Sequence, residues 1–178
     1  MPGPPPVIRE ATVADAAAIA RVHVASWAVA YRGLVSRAIQ TSTTVALRTV
    51  QWRPILSGEA AYPGSVNLVA LVDGEVAGFA CHGPSRADLW PPPSAAGELY
   101  ALYADPSAWG RGVGRALMDA SVAGLRDAGH VDALLWVLRG NARARRFYER
   151  MGWVPDGGLR DQESERLPVP AVRYVRFL

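Results

Sequence analysis

The stretch ELYALYADPSAWGRGVGRALMDA, residues 98–120, reads as a strand, a glycine-rich turn and a helix in direct succession. Glycines occupy positions 110, 112 and 114, and apolar residues then recur at helical spacing. The free backbone N–H groups at a helix N-terminus and the helix dipole both attract an anion. The turn is therefore predicted to bind a phosphate group.

Two common classes of nucleotide-binding turn do not match this stretch. A Walker loop requires a lysine, and this sequence contains none. A dinucleotide fingerprint requires G-x-G-x-x-G and an acidic residue about twenty positions later. Here the third glycine, Gly114, comes one residue too early for this fingerprint. Asp132 does not match its acidic residue, because Asp132 lies near the start of the following strand instead of at its end. A glycine turn without a ligand stays open as an alternative, although Arg111 and Arg115 flank the turn with guanidinium groups that suit phosphate.

Composition indicates a globular protein. The chain has 178 residues, of which 50% are hydrophobic and 20% charged, and its formal net charge is +3. A single cysteine, Cys81, excludes an internal disulfide framework. The start MPGPPPVIRE lacks the features of a signal peptide, and no stretch reaches about 18 uninterrupted apolar residues. We therefore expect a cytoplasmic protein that does not cross a membrane.

The order of secondary structure is predicted to be β α α β β β α β α β β, a mixed α/β domain. A helix is expected after Thr12, with Asp15 completing a capping box, and to end near Gly33. NLVALV and EVAGFACHG alternate around Asp73-Gly74, a pair that favours a type I′ hairpin. The segment LPVPAVRYVRFL is predicted to be the last strand.

The glycine turn resembles the coenzyme A-binding motif of the GNAT superfamily of N-acetyltransferases, Q/R-x-x-G-x-G/A, with Trp109 at the first position. NARARRFYERMGW, residues 141–153, is similar to the family's Asn-helix-Tyr-x-x-x-Gly-Phe segment, with Trp153 in place of Phe. The resemblance covers residues 7–176. It implies one GNAT domain over residues 7–178 after a lead-in of residues 1–6, with a central, mostly antiparallel, splayed sheet of about seven strands flanked by four helices.

The resemblance also implies acetyl-coenzyme A as co-substrate and no metal. Backbone N–H groups of the turn would hold its pyrophosphate, and the pantetheine arm would pair with the strand before the turn. Asn141 is either a helix N-cap alone or a cap that also contacts the coenzyme. The residues predicted to bind the coenzyme are Leu102, Tyr103, Ala104, Trp109, Gly110, Arg111, Gly112, Val113, Gly114, Arg115, Asn141, Arg145 and Tyr148.

Two residues are candidates for proton transfer. By resemblance Tyr148 is the general acid that protonates the departing thiolate, and a core aromatic is the alternative. Glu98 is the candidate base, acting through water, and an exposed strand-end glutamate is the equally weighted alternative. Because side chains alternate along a strand, Tyr100 is expected on the face of Glu98 and Tyr103 on the opposite face.

The acceptor is expected to be a primary amine of a small molecule or peptide. The family's acceptor cleft implies walls from the first two helices and the loop before the coenzyme-binding strand. Trp27 and Tyr31 are the predicted substrate residues beside Glu98 and Tyr100, although such a helical stripe is more often core. Further candidates in these segments are His23, Trp52, Asp88 and Trp90.

Other classes fit less well. The arginines of residues 139–150 decorate a short amphipathic helix whose apolar side is formed by Ala144, Phe147, Tyr148 and Met151, so nucleic-acid binding is not expected. Cys81 is expected in the core, and the histidines lack metal-ligand spacing. A homodimer is compatible with the family. Two alternatives to acetyl transfer stay open, namely an inactive acyl-coenzyme A sensor or scaffold and a transferase of a longer acyl group.

Overall fold

The computed structural model describes residues 4–33, 41–86, 96–161 and 170–178. In this part of the chain seven strands form one sheet and four α-helices flank it. The strands are β1 Val7–Glu10, β2 Val66–Val72, β3 Glu75–Pro84, β4 Gly97–Ala104, β5 Asp132–Leu138, β6 Val154–Asp161 and β7 Pro170–Phe177. The helices are α1 Ala16–Ala30, α2 Val45–Leu56, α3 Val113–Asp127 and α4 Ala142–Arg150. The predicted order of elements is confirmed.

The sheet has the order β1-β2-β3-β4-β5-β7-β6, and every neighbouring pair is antiparallel except β4 with β5. The hairpin between β2 and β3 turns through Asp73 and Gly74, both at positive φ, with Val72 opposite Glu75. That geometry is the expected two-residue turn. The mostly antiparallel mixed α/β architecture is likewise confirmed.

Two apolar cores lie on the sheet. The first joins α3 and Tyr148 of α4 to the sheet and includes Leu117, Trp153 and Tyr174. The second joins α1 and Trp52 of α2 to β2 and β3 and includes Ile19 and Phe79. Cys81 belongs to this second core, as expected, and burial raises the pKa of its thiol to about 12.

One helical stretch of the described residues, Val13–Ala30, is long and apolar enough to span a bilayer by length and composition, with a mean hydropathy of 1.3. It lies near the N-terminus, and 39% of it is buried inside the fold. Its buried side chains Ala16, Ile19 and Val22 pack in the second core. The apolar composition of this helix therefore has a packing role in the fold.

The entry to α1 is held by a buried carboxylate. Asp15 accepts hydrogen bonds from the Thr12 backbone N–H at 2.8 Å and from both terminal nitrogens of Arg9 at 2.7 and 2.8 Å. The bond from Arg9 lowers the pKa of Asp15 from 3.8 to about 2. The Asp15 half of the expected capping box is thus present.

We expect Asp15→Asn to lower the free energy of unfolding by about 2 kcal/mol at pH 7. Because the pKa of Asp15 is lowered in the folded state, this stabilisation is complete above pH 3.8 and is lost as the pH falls towards 2. Urea unfolding at a series of pH values measures it. Asp119→Asn is the control, since Asp119 is exposed and lies 3.6 Å from Arg115. A pH-independent difference for Asp15→Asn would contradict the argument.

Candidate functional site

A cleft opens where two parallel strands separate. β4 and β5 are paired only over Gly97–Leu99 and Ala133–Leu135, and beyond Leu99 the edge of β4 facing β5 has no partner strand in the described residues. A cavity of about 1070 Å³ follows this splay. It is lined by β4, the end of α1, the glycine turn, the N-terminus of α3, parts of β5 and α4, and Arg86 and Arg160.

The glycine turn lies at one end of the cleft, and two of its three glycines have a backbone conformation that favours glycine. Gly110 and Gly112 adopt φ of +81° and +80°, a region that L side chains rarely occupy. Gly114 has an ordinary φ, and a Cβ there would lie in van der Waals contact with the Phe147 ring, at 3.4 Å. Gly112 is the N-cap of α3, and its carbonyl accepts the first helical bond from Ala116 at 2.9 Å. The N–H groups of the first turn, through Arg115, therefore lack helical acceptors.

The arginines at the turn point in different directions. Arg111 donates to Asp73 at 2.8 Å, its backbone N–H bonds the Ala108 carbonyl at 3.3 Å, and it does not line the cleft. Arg115 lines the cleft and is 77% exposed. The structure therefore brings Arg115, and not the side chain of Arg111, to the predicted phosphate site.

Trp109 connects the turn to two neighbouring elements. Its indole N–H donates to the Ala104 carbonyl at 3.1 Å, and the Arg143 guanidinium carbon lies 3.3 Å from its ring centroid. Ser26 of α1 donates to the same carbonyl at 2.9 Å. The tryptophan that departs from the family motif thus fixes the end of β4 and holds an arginine of α4 beside the cleft.

The lining of the cleft is strongly basic. Among the described residues its single acid is Glu98. Such a surface attracts a ligand with several negative charges. The lining arginines are Arg32, Arg86, Arg115, Arg143, Arg146, Arg150 and Arg160.

Tyr148 lies in the cleft wall and also in the first core, with 8% exposure. Burial, and to a smaller extent Tyr31, raise the pKa of its hydroxyl, so the group keeps its proton at neutral pH. Asn141 caps α4 by accepting from the Ala144 N–H at 3.1 Å, and it also lines the cleft. The apolar side of α4 packs on the first core as the sequence predicts.

Glu98 stands at the other end of β4 and is 2% exposed. It accepts from the Arg86 backbone N–H at 3.0 Å and from the Arg86 guanidinium. The Arg86 guanidinium carbon lies 4.4 Å from the Tyr100 ring centroid. Tyr100 shares the cleft with Glu98, as expected, whereas the alternative of an exposed strand-end glutamate is wrong.

A bulge in β4 corrects one expectation. Cys81 lies opposite Ala101 and His82 opposite Leu99, so Tyr100 is an extra residue in the ladder. The bulge shifts the alternation, and both Tyr100 and Tyr103 pack against the second core. The prediction that these two tyrosines face opposite sides is therefore wrong.

Several predicted residues lie outside the cleft lining. Arg145 donates to the Tyr174 hydroxyl at 3.1 Å and to the Arg139 carbonyl, on the side of α4 away from the cleft. Trp27 is buried and stacks on Tyr31 at 4.6 Å, and only Tyr31 of this pair lines the cleft. His23 stacks on Tyr103 at 5.0 Å beside the second core.

Burial lowers the pKa of His23 to about 4, which keeps the ring neutral. Trp52 packs in the second core. Asp88 and Trp90 lie outside the described residues.

Arg86 and Arg160 are among the cleft residues that the sequence did not predict. Arg86 follows β3 in a segment that reads as a proline-rich loop, and only the fold brings it to Glu98, 12 residues away in sequence. Arg160 lies in β6, with its guanidinium carbon 4.7 Å from the Trp136 ring centroid. No motif in the sequence marks either residue.

The chain is similar to known proteins in both sequence and fold. The family model described as "Acetyltransferase (GNAT) family" matches residues 27–153. The chain belongs to the GNAT family of acetyltransferases. The mycothiol acetyltransferase of Beutenbergia cavernae is 34% identical over 128 residues, which are 71% of this chain and 41% of that relative. The match therefore covers well under half the length of that relative.

Solved structures share the GNAT fold. The PaiA N-acetyltransferase of Thermoplasma acidophilum, in complex with coenzyme A, has a TM-score of 0.76 at 18% identity and covers 97% of this chain and 99% of that one. The yncA structure of Salmonella typhimurium, with acetyl-CoA, has a TM-score of 0.70 at 20% identity over 98% and 95% of the two chains. At these identities the likeness concerns the fold.

Proposed function

We propose that this protein transfers an acetyl group from acetyl-coenzyme A to a primary amine. The observation that carries the proposal is a single cleft joining a helix N-terminus with free N–H groups, an unpaired strand edge and a buried tyrosine hydroxyl. The basic lining supports a polyanionic donor. The bound coenzymes of PaiA and yncA support the identity of that donor.

Each part of the donor has a matching surface. The first-turn N–H groups of α3 suit the pyrophosphate, with Arg115, Arg143 and Arg146 as phosphate partners. The edge of β4 around Leu102 and Tyr103 suits the amide-rich arm, since main-chain groups can pair there as with an added strand. The Ala104 carbonyl already accepts two hydrogen bonds, so we assign pairing with the arm to the residues before it.

The chemistry needs one acid and one base. The amine nitrogen bonds the thioester carbonyl carbon, the carbon–sulfur bond breaks, and the Tyr148 hydroxyl donates a proton to the leaving sulfur. Glu98 accepts the proton of the amine through water. Each oxygen of Glu98 accepts one hydrogen bond from Arg86 and keeps a second lone pair for that water.

Calorimetric titration with acetyl-coenzyme A, followed by a thiol-release assay on a panel of amines, tests the proposal. Binding together with amine-dependent thiol release supports it. Binding without release for any amine would favour the sensor alternative, and release only with longer acyl donors would favour the other alternative. Absence of binding would reject the proposal.

Two arginines of α4 provide a matched pair for the donor site. We expect Arg143→Gln to weaken acetyl-coenzyme A binding about tenfold, because Arg143 lines the cleft beside the turn. Arg145→Gln should leave the dissociation constant unchanged, since Arg145 bonds Tyr174 outside the cleft. Calorimetry measures both variants. Equal effects of the two substitutions would contradict the assignment of the phosphate end.

A further inference from the structure

The far end of the cleft contains a second charged group of residues, which we call the acceptor corner: Arg86, Glu98, Tyr100, Trp136 and Arg160. Glu98 and Ala104 stand at opposite ends of β4, about 20 Å apart at the usual rise of a strand. The corner is thus well separated from the glycine turn. Phosphates bound at the turn do not reach it.

The corner contains buried donors without acceptors. Nε and Nη1 of Arg160 and Nε of Arg86 are buried and have no hydrogen-bond partner in the described part of the chain. The ring of Trp136 supports the Arg160 guanidinium and the ring of Tyr100 supports that of Arg86. Buried N–H groups normally find acceptors, so these donors are suited to a ligand.

The charges of the corner do not balance. Arg86 and Arg160 both lie near Glu98, which is the one acid of the cleft lining among the described residues. Arg173, the other arginine near Trp136, is paired with Asp156 at 2.7 Å. Among the described residues, one positive charge at the corner is therefore uncompensated, which suits a monoanion better than a dianionic phosphate.

We infer that Arg86 and Arg160 bind a carboxylate of the acceptor, so that the acceptor is a small amine that also carries a carboxylate, as an amino acid does. This inference rests on the proposed acetyl transfer. The planar forks of the two guanidiniums match a carboxylate. Glu98 lies beside them to receive the ammonium group. The corner therefore offers positive groups for the carboxylate and a negative group for the ammonium of a zwitterion. The same arginines disfavour polyamines and other polycations.

Paired acceptors test the inference. The common L-amino acids, their carboxamides and ethanolamine phosphate are compared as acceptors of wild type and Arg160→Gln by thiol release. We expect wild type to prefer acids over amides at least about tenfold in kcat/KM. In Arg160→Gln we expect KM for the acids to rise about tenfold while the amides change less than about twofold, so that the preference disappears.

Two controls separate binding from folding. Arg173→Gln removes a guanidinium near the same tryptophan but outside the cleft, and it should keep the preference for acids. The dissociation constant of acetyl-coenzyme A should be the same in Arg160→Gln as in wild type. If Arg160→Gln also weakens coenzyme binding, the substitution has disturbed more than the corner, and Arg160→Lys, which retains the charge but not the planar fork, replaces it.

Failure of the inference and failure of the proposed function are distinguishable. Acetylation of amides or of the phosphate compound as efficiently as acids would overturn the inference and leave acetyl transfer intact. If no amine is acetylated, calorimetry with the amino acids on coenzyme-saturated protein decides. Binding that Arg160→Gln abolishes supports the corner without acetyl transfer, and absence of binding rejects both.

Discussion

Gly112→Val should weaken acetyl-coenzyme A binding at least a hundredfold, which corresponds to about 2.7 kcal/mol. Gly112 has a φ of +80°, and a β-branched side chain in this region is strained. The nearest atom to a Cβ at this position is Pro6 Cδ at 4.0 Å, so no clash prevents folding. The turn relieves the strain by rotating its backbone, and the first-turn N–H groups of α3 then no longer converge on one anion. Calorimetry measures the loss.

Gly129→Val is the matched control for this prediction. Gly129 follows the other end of α3 with a φ of +88°, and a Cβ there meets no atom within 4 Å. The two substitutions therefore introduce similar strain, and we expect similar losses of about 1–3 kcal/mol in unfolding free energy. Of these two glycines only Gly112 borders the cleft, so Gly129→Val should retain wild-type affinity for acetyl-coenzyme A. Wild-type affinity in Gly112→Val would contradict the phosphate site at the turn.

Local signals explain why so much of the fold could be predicted. Asp73-Gly74 sets a two-residue turn by its own backbone preferences, and this turn fixes the pairing of β2 and β3 next to it, up to an irregularity at Ala77 that shifts the register by one residue. The strand, turn and helix around Gly112 depend on residues adjacent in sequence. The two motifs of the GNAT resemblance then connected these segments into one architecture, which the family match and the sheet order confirm.

Long-range geometry explains what the sequence did not show. The bulge at Tyr100 depends on pairing with β3 and reverses the expected face of Tyr103. On α4 the helical period shows which residues share a face, but it does not show which face meets the cleft. Arg143 therefore lines the cleft, while Arg145 bonds Tyr174. The acceptor corner joins residues from three strands and a loop, and no local pattern encodes it.

Tyr148→Phe should lower kcat by about 10²–10⁴-fold, the usual contribution of a positioned general acid. Burial raises the pKa of the Tyr148 hydroxyl above 10.0, so the group is protonated throughout the neutral range and acts as a proton donor. Phenylalanine keeps the ring that packs in the first core but has no proton for the departing thiolate. Steady-state kinetics by thiol release, with the coenzyme affinity measured separately, provides the comparison.

Tyr174→Phe separates this chemical role from the loss of a buried hydroxyl. Tyr174 is fully buried with its ring centroid 6.4 Å from that of Tyr148, and its hydroxyl bonds Arg145 and Glu149 outside the cleft. Its substitution should destabilise the fold by about 1–3 kcal/mol while changing kcat by less than about twofold. A wild-type kcat in Tyr148→Phe would assign protonation of the thiolate to water and leave Tyr148 as a core aromatic. A large fall in kcat for Tyr148→Phe alone assigns the proton to its hydroxyl, because both variants lose one buried oxygen and only one of these faces the cleft.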